Sequence, residues 1–247
     1  MKKTLILGDI HGRPIWKEIV AKEQPDQTIF LGDFVTTHEL ITGQQQLDQM
    51  LDILEYVEAD PDNRKICRGN HDTQALGYYW ASCFPYVPKE VEKWFSIPEN
   101  KERFLKDSQW LVELDLGNRK AICSHAGISR KWLSDILKME YNADAINALE
   151  PSEKFGFNGD RYDNYGTSPE QSCTWIRPQT LQKYALQGYD MIVGHTGTYE
   201  NCKSLPIFAE DGSDISEYKI YLCDALQQGS YLTIEDNIYK IKNINDK

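Results

Sequence analysis

No stretch of this 247-residue chain approaches the run of about 18 apolar residues that a membrane span needs. The opening Met1-Lys2-Lys3-Thr4-Leu5-Ile6-Leu7 has the flavour of a leader, but its apolar part stops at Gly8-Asp9, too soon for a secretory signal. A cytoplasmic location and no membrane partner are therefore expected. Positive charge is also scarce: 27 basic residues stand against 38 acidic ones, a net charge of −11. Such a chain lacks the broad basic face that grips duplex nucleic acid. A small anion is not excluded, because bound metal ions can invert the sign of a local site. Six cysteines (Cys67, Cys83, Cys123, Cys173, Cys202, Cys223) occur singly, with no CxxC and no zinc-ligand spacing. They read as reduced structural thiols, and Cys67, Cys123 and Cys223 fall in apolar runs where a thiol is a small hydrophobe. Internal repeats, low-complexity tracts and interdomain linkers are missing too. At 40% apolar and 26% charged residues, the composition is that of a globular protein, expected as one domain over residues 1–247.

What is present is alternation. Thr4–Leu7, Thr28–Leu31 and Lys65–Arg68 are short apolar runs that each end in a Gly-Asp or Gly-Asn turn. Between them lie helical patterns around Pro14–Lys22 and from Gln44-Gln45-Gln46 through Leu47, Met50, Leu51, Ile53, Leu54 and Val57, apolar at intervals of three and four. That rhythm predicts a parallel sheet with crossover helices. Residues 73–107 are helical and aromatic, an insertion whose rings are expected to serve packing. Leu111–Leu116 and Lys120–Ser124, joined at Gly117-Asn118, predict an antiparallel hairpin. Ile220–Cys223, Ser230–Glu235 and Ile238–Ile241 predict late strands. Gly156–Pro169 has no period and reads as a long loop.

Five polar motifs follow apolar strands: Gly8-Asp9-Ile10-His11-Gly12, Gly32-Asp33, Gly69-Asn70-His71-Asp72, Ser124-His125-Ala126-Gly127 and Gly194-His195-Thr196. Any one alone reads as a capped turn. Together they place Asp, Asn and His at the strand ends where α/β sheets hold ligands. Such a mixed oxygen and nitrogen set suits Mn, Fe, Zn or Ni rather than Ca or Cu(I). Six ligands would over-supply one catalytic metal, whereas two metals sharing a carboxylate would use them all, the device of in-line displacement at phosphorus.

The motif series and its order resemble the calcineurin-like metallophosphoesterase superfamily from Lys3 to about Thr196. Ser124-His125-Ala126-Gly127 resembles most the phosphoprotein-phosphatase and diadenosine-tetraphosphatase branch. The resemblance implies a four-layer α/β/β/α sandwich of two mixed sheets. It implies two divalent ions, manganese first among the alternatives, with Asp9 and His11 on one, Asn70, His125 and His195 on the other, and Asp33 shared. It implies that His71 protonates the leaving alkoxide. Trp175-Ile176-Arg177-Pro178 resembles the Trp-x-Arg segment of that branch, so Arg177 would grip phosphoryl oxygens, as a guanidinium fork suits; Arg161 and Arg68 are further candidates for that work. One departure stands out. The branch continues its second motif as Gly-Asp-x-Val-Asp-Arg-Gly, and this chain reads Gly32-Asp33-Phe34-Val35-Thr36-Thr37-His38. The Asp that orients the catalytic histidine and an Arg that binds phosphate are replaced by threonines, leaving His38 and Glu39 as nearby substitutes. The implied activity is phosphomonoester hydrolysis on a phosphorylated small molecule, nucleotide or phosphoprotein. The alternatives are a dinucleoside polyphosphate hydrolase, a phosphodiesterase on nucleotides or nucleic acid, and a metal-bearing scaffold without turnover.

Overall fold

The computed structural model describes residues 2–78, 83–157, 165–209 and 214–246. In the first sheet, β1 (Lys3–Leu7), β2 (Gln27–Phe30), β3 (Arg64–Cys67) and the two-residue β4 (Ser108–Gln109) run parallel, and the late hairpin β10 (Ser230–Glu235) and β11 (Ile238–Asn243) adds an antiparallel edge in the order β11-β10-β1-β2-β3-β4. The second sheet contains β5 (Leu111–Asp115), β6 (Lys120–Ser124), β7 (Tyr189–Val193), β8 (Lys203–Phe208) and β9 (Asp214–Leu222) in the order β5-β6-β7-β9-β8. There β6, β7 and β9 are parallel, with β5 and β8 antiparallel at the two edges. Both sheets are mixed, as the resemblance implies.

Strand periodicity makes the layers. Successive side chains of a strand point to opposite faces, so Leu5 and Leu7 pack under α1 (Ile15–Glu23) and α2 (Gly43–Glu58), while Ile6 faces the other sheet. On the second sheet Met191 and Val193 face outward to a π-helical turn (Trp132–Leu137) and α7 (Pro178–Tyr184), and Ile192 faces Ile6's side. Cys67, Cys123 and Cys223 lie in this inter-sheet core beside Ile29, Val112 and Leu232. The order of layers is helices, sheet, sheet, helices. Truncating a fully buried member of the middle layer, such as Ile6 or Ile192, to alanine would cost about 2–5 kcal/mol.

The glutamine tract has a structural use. Thr42 and Gln45 form a reciprocal capping box at the start of α2. Gln46, buried, accepts from Thr36 N at 2.7 Å and donates to Ile41 O at 3.0 Å, pinning the preceding loop. Residues 73–107 hold α4 (Lys89–Phe95) and α5 (Pro98–Asp107); Val91, Phe95 and Phe104 enter the core, but Phe84 and Tyr86 are exposed rather than packed. Tyr79 and Trp80 lie outside the described residues. No helix among the described residues is long and apolar enough to cross a membrane.

Candidate metal centre

Three parallel strands in each sheet end at one rim of the sandwich. Asp9 follows β1, Asp33 follows β2, and Asn70 and His71 follow β3 at the start of the short helix α3 (Asn70–Ala75); His125 follows β6 and His195 follows β7. The ligand atoms of Asp9, His11 and Asp33 lie within 4.8 Å of one another, and so do those of Asp33, His125 and His195. Asp33 belongs to both groups. Glycine permits this approach: a Cβ on Gly69 would sit 2.0 Å from Asp33 Oδ1, and one on Gly194 would sit 2.1 Å from Asp9 Oδ1. Of the eight non-glycine residues with positive φ among the described residues, His11 (47°), Asp33 (53°), Thr36 (63°) and His195 (60°) are here. Such backbone strain collects at functional sites and persists only where surrounding contacts enforce it.

Backbone carbonyls set the imidazole tautomers. His125 Nδ1 donates to Leu31 O at 2.8 Å, and His11 Nδ1 donates to Thr36 O at 2.5 Å. Each neutral ring is thus left with a lone pair on Nε2. His125 Nε2 faces Asn70 Oδ1 at 2.8 Å and Asp33 Oδ2 at 3.3 Å, two acceptors that a cation would bind together with the ring once its proton is displaced. His195 presents Nδ1 to the same Asn70 oxygen at 3.0 Å, and its buried Nε2 has no hydrogen-bond partner. Asn70 Nδ2 points the other way, toward Cys83 Sγ at 3.5 Å. Buried carboxylate and amide oxygens converging with imidazole nitrogens, one of them without any partner, are what a bound cation requires, so these residues fit the metal ions the motifs imply.

The charges agree. Burial alone would lower the His125 pKa, but the Asp33 charge and hydrogen bond lift it to about 10. Burial would raise Asp33, and His125, His71 and His11 instead hold its carboxyl well below the usual range. Burial and the Asp224 charge push Asp9 up, while burial holds the pKa of His11, His71 and His195 below the ordinary imidazole value. Asp72 accepts from the amides of Asp33 (2.8 Å), Phe34 (2.9 Å) and Gly69 (2.8 Å), tying the second motif to the third.

His71 stands outside both ligand groups. Its amide donates to Asp33 Oδ1 at 3.0 Å, and its Nδ1 makes a very short contact with Thr36 Oγ1. The side chain in the place of the missing Asp therefore still reaches the histidine. Glu39 and His38 do not substitute for it: Glu39 pairs with Arg13 (2.5 Å) and His38 packs on Phe84, ring centroids 5.2 Å apart. Arg177 lines the same cavity of about 330 Å³ as Asp9, Asp33 and His71, aimed by bonds from Nε to Tyr165 O (2.9 Å) and from Nη1 to His195 O and Thr196 Oγ1 (both 3.2 Å). Arg68 is placed elsewhere. It is 5% exposed, its guanidinium bonds Ser108 Oγ (2.8 Å), Ser108 O (2.6 Å) and Leu105 O (3.1 Å), and it lies over Trp110, so it serves the edge of the first sheet. Arg161 lies outside the described residues.

Three cavity residues escape a reading of the motifs. Asp224 follows β9 as Asp9 follows β1, and Cys83 and Phe84 enter from the loop after α3. The signal for Asp224 was an acid two residues beyond an apolar strand, but it lacks the glycine that marks most of the others.

The profile of calcineurin-like phosphoesterases matches residues 2–205. A symmetrical bis(5′-nucleosyl)-tetraphosphatase of Salmonella arizonae is 28% identical over 178 residues, 68% of this chain and 59% of that protein; that of Salmonella paratyphi A is 28% identical over 180 residues with the same coverage. The chain thus spans less than two thirds of the length of the curated relatives it matches. Among solved structures, a cold-active protein-tyrosine phosphatase of Shewanella superposes with a TM-score of 0.65 at 16% identity, over 99% of this chain and 78% of that one. A serine/threonine phosphatase of Saccharomyces cerevisiae gives 0.55 at 16% identity, over 100% and 81%. With the profile spanning most of the chain and the fold shared with phosphatase structures, this chain belongs to the calcineurin-like phosphoesterase family.

Proposed function

We propose that the protein is a bimetal-dependent phosphomonoesterase. The observation that carries this reading is the pairing of roles in one cavity: two ligand groups sharing Asp33, with His71 beside them but in neither group and Arg177 on the same wall. Asp9, His11 and Asp33 would hold one divalent ion, and Asp33, Asn70, His125 and His195 the other, with manganese the first candidate. When bound, such ions supply an activated water and neutralise phosphoryl charge.

The chain's own residues do the rest. Arg177 binds phosphoryl oxygens with a planar fork matched to their geometry. His71, as the imidazolium, gives the proton on Nε2 to the departing oxygen and is left neutral with its proton on Nδ1, for which the Thr36 hydroxyl is the acceptor that holds the ring in register. The His71 amide bond to Asp33 keeps acid and ligand in fixed relation.

A second reading, hydrolysis of dinucleoside polyphosphates, is favoured by the names of the curated relatives; the phosphodiesterase and the scaffold remain the other outcomes. The deciding experiment is turnover by manganese-reconstituted protein of p-nitrophenyl phosphate, its bis-ester and diadenosine tetraphosphate. Preference for the monoester supports the proposal, preference for either of the others replaces it, and no turnover of any leaves the scaffold.

A further inference from the structure

A second cavity of about 360 Å³ opens beside the first, and His11, His71 and Asp224 line both. In the reading above, His71 meets the oxygen that departs. A substrate with its phosphorus among the ligand groups and its leaving oxygen at His71 extends its carbon skeleton past that imidazole, into the space His71 also borders. The composition of this space then selects the leaving group.

Its lining is largely polar, with no lysine or arginine free of a carboxylate partner among the described residues. Tyr199, 95% exposed, and His38 contribute rings to the lining, and His38 is braced by Phe84, itself on the wall of the first cavity and packed edge-on against Tyr86 at 6.0 Å. The amides of Gln227 and Gln228 add neutral donors and acceptors. The one lysine or arginine among its described lining residues is Arg13. Its guanidinium is closed by Glu39 Oε1, 2.5 Å from Nη2 and 2.9 Å from Nε, and by Asp9 O at 3.0 Å. Glu39 and Asp224 leave the wall with more acid than base. A second phosphate placed there would meet two carboxylates and no free lysine or arginine, whereas a planar ring would have the rings of Tyr199 and His38 to pack against.

We infer that this cavity is the leaving-group subsite and that it selects phosphate monoesters whose leaving group is planar, aromatic and uncharged, at the expense of polyphosphates. The inference rests on the phosphomonoesterase reading of the neighbouring cavity. A nucleoside and a tyrosyl side chain both offer this chemistry.

The test compares kcat/KM on manganese-reconstituted protein for benzyl phosphate and cyclohexylmethyl phosphate, which release comparable alcohols but differ in flatness. Benzyl phosphate should be preferred, and Tyr199→Ala and His38→Ala should each reduce that preference roughly three- to tenfold, the size of one ring-on-ring contact. Adenosine 5′-monophosphate and phosphotyrosine distinguish the two sources, and whichever is turned over faster names the natural leaving group. Equal rates for the benzyl and cyclohexylmethyl esters, a preference untouched by both variants, or faster hydrolysis of adenosine 5′-diphosphate than of the monophosphate would overturn the subsite. If p-nitrophenyl phosphate is hydrolysed without any such preference, the subsite alone fails; if no monoester is hydrolysed, the phosphomonoesterase reading fails and takes the subsite with it.

Discussion

At the floor of the centre, Asp9, Asp33, Asn70 and His125 are at most 3% exposed, and carbonyls and amides fix their orientation. At its rim Phe84, Tyr86 and Tyr199 stand in solvent on loops. The floor depends on strand ends, whose positions two sheets and three layers of core over-determine. The rim depends on loops, which a fold can exchange without disturbing the sheets. On the proposed reading, chemistry and selectivity are carried by parts of the molecule with different tolerance to change, and substitutions should separate them.

The largest effect belongs to the shared ligand. Asp33→Asn offers a neutral amide where two divalent charges meet, so kcat/KM should fall by roughly 10³-fold or more and bound metal should drop with it. Elemental analysis showing two full equivalents in an active variant would break the assignment of Asp33 as a bridge. His71→Asn comes next: turnover of alkyl phosphates should fall about 10²- to 10⁴-fold, that of p-nitrophenyl phosphate far less, with metal content unchanged. A uniform loss across leaving groups would mean that His71 is not the acid. Arg177→Ala removes charge-assisted contacts worth about 1.5–3 kcal/mol, and inhibition by inorganic phosphate should weaken by one to two decades. An unchanged inhibition constant would move phosphate recognition to another residue, Arg161 being the next to replace.

The smallest effect sharpens the boundary between floor and rim. Thr36 is fully buried, yet it lies on the loop that leads to His38 and Glu39. Thr36→Val keeps the shape and removes the hydroxyl, so kcat on alkyl phosphates should fall up to about tenfold while metal content is preserved. Thr36→Ser should restore the rate, and in a His71→Asn background Thr36→Val should add nothing, because the two side chains act as one unit. Additive losses would show that Thr36 supports the fold rather than the histidine.

The floor was largely legible in the residues because it repeats. Asp9, Asp33, Asn70, His125 and His195 each sit within three residues of a short apolar strand, and the alternation of strand and helix already implies where such ends gather. Asp224 repeats the placement without the glycine, so the pattern did not reach it. The stand-in for the missing Asp was not readable either. A threonine beside a valine carries no local sign of the contact, in which Thr36 sits at positive φ with its amide bonded to Gln46 and its hydroxyl against His71. Arg68 shows the opposite limit. A basic residue one step before an active motif looks poised for phosphate, but β4 pairs alongside β3 and captures its guanidinium at Ser108. Long-range pairing of that kind leaves no local trace in the chain.

The three thiols of the middle layer give the molecule an internal clock. Cys67, Cys123 and Cys223 sit between the sheets, and burial pushes the Cys67 thiol up to about 12 and raises the other two. A thiol held so far from its thiolate does not react with an alkylating reagent while the layers stay closed. Their labelling rate therefore measures how often the two sheets part, and because the ligands come from both sheets, loading the centre should slow that rate without altering a single contact to the cysteines themselves.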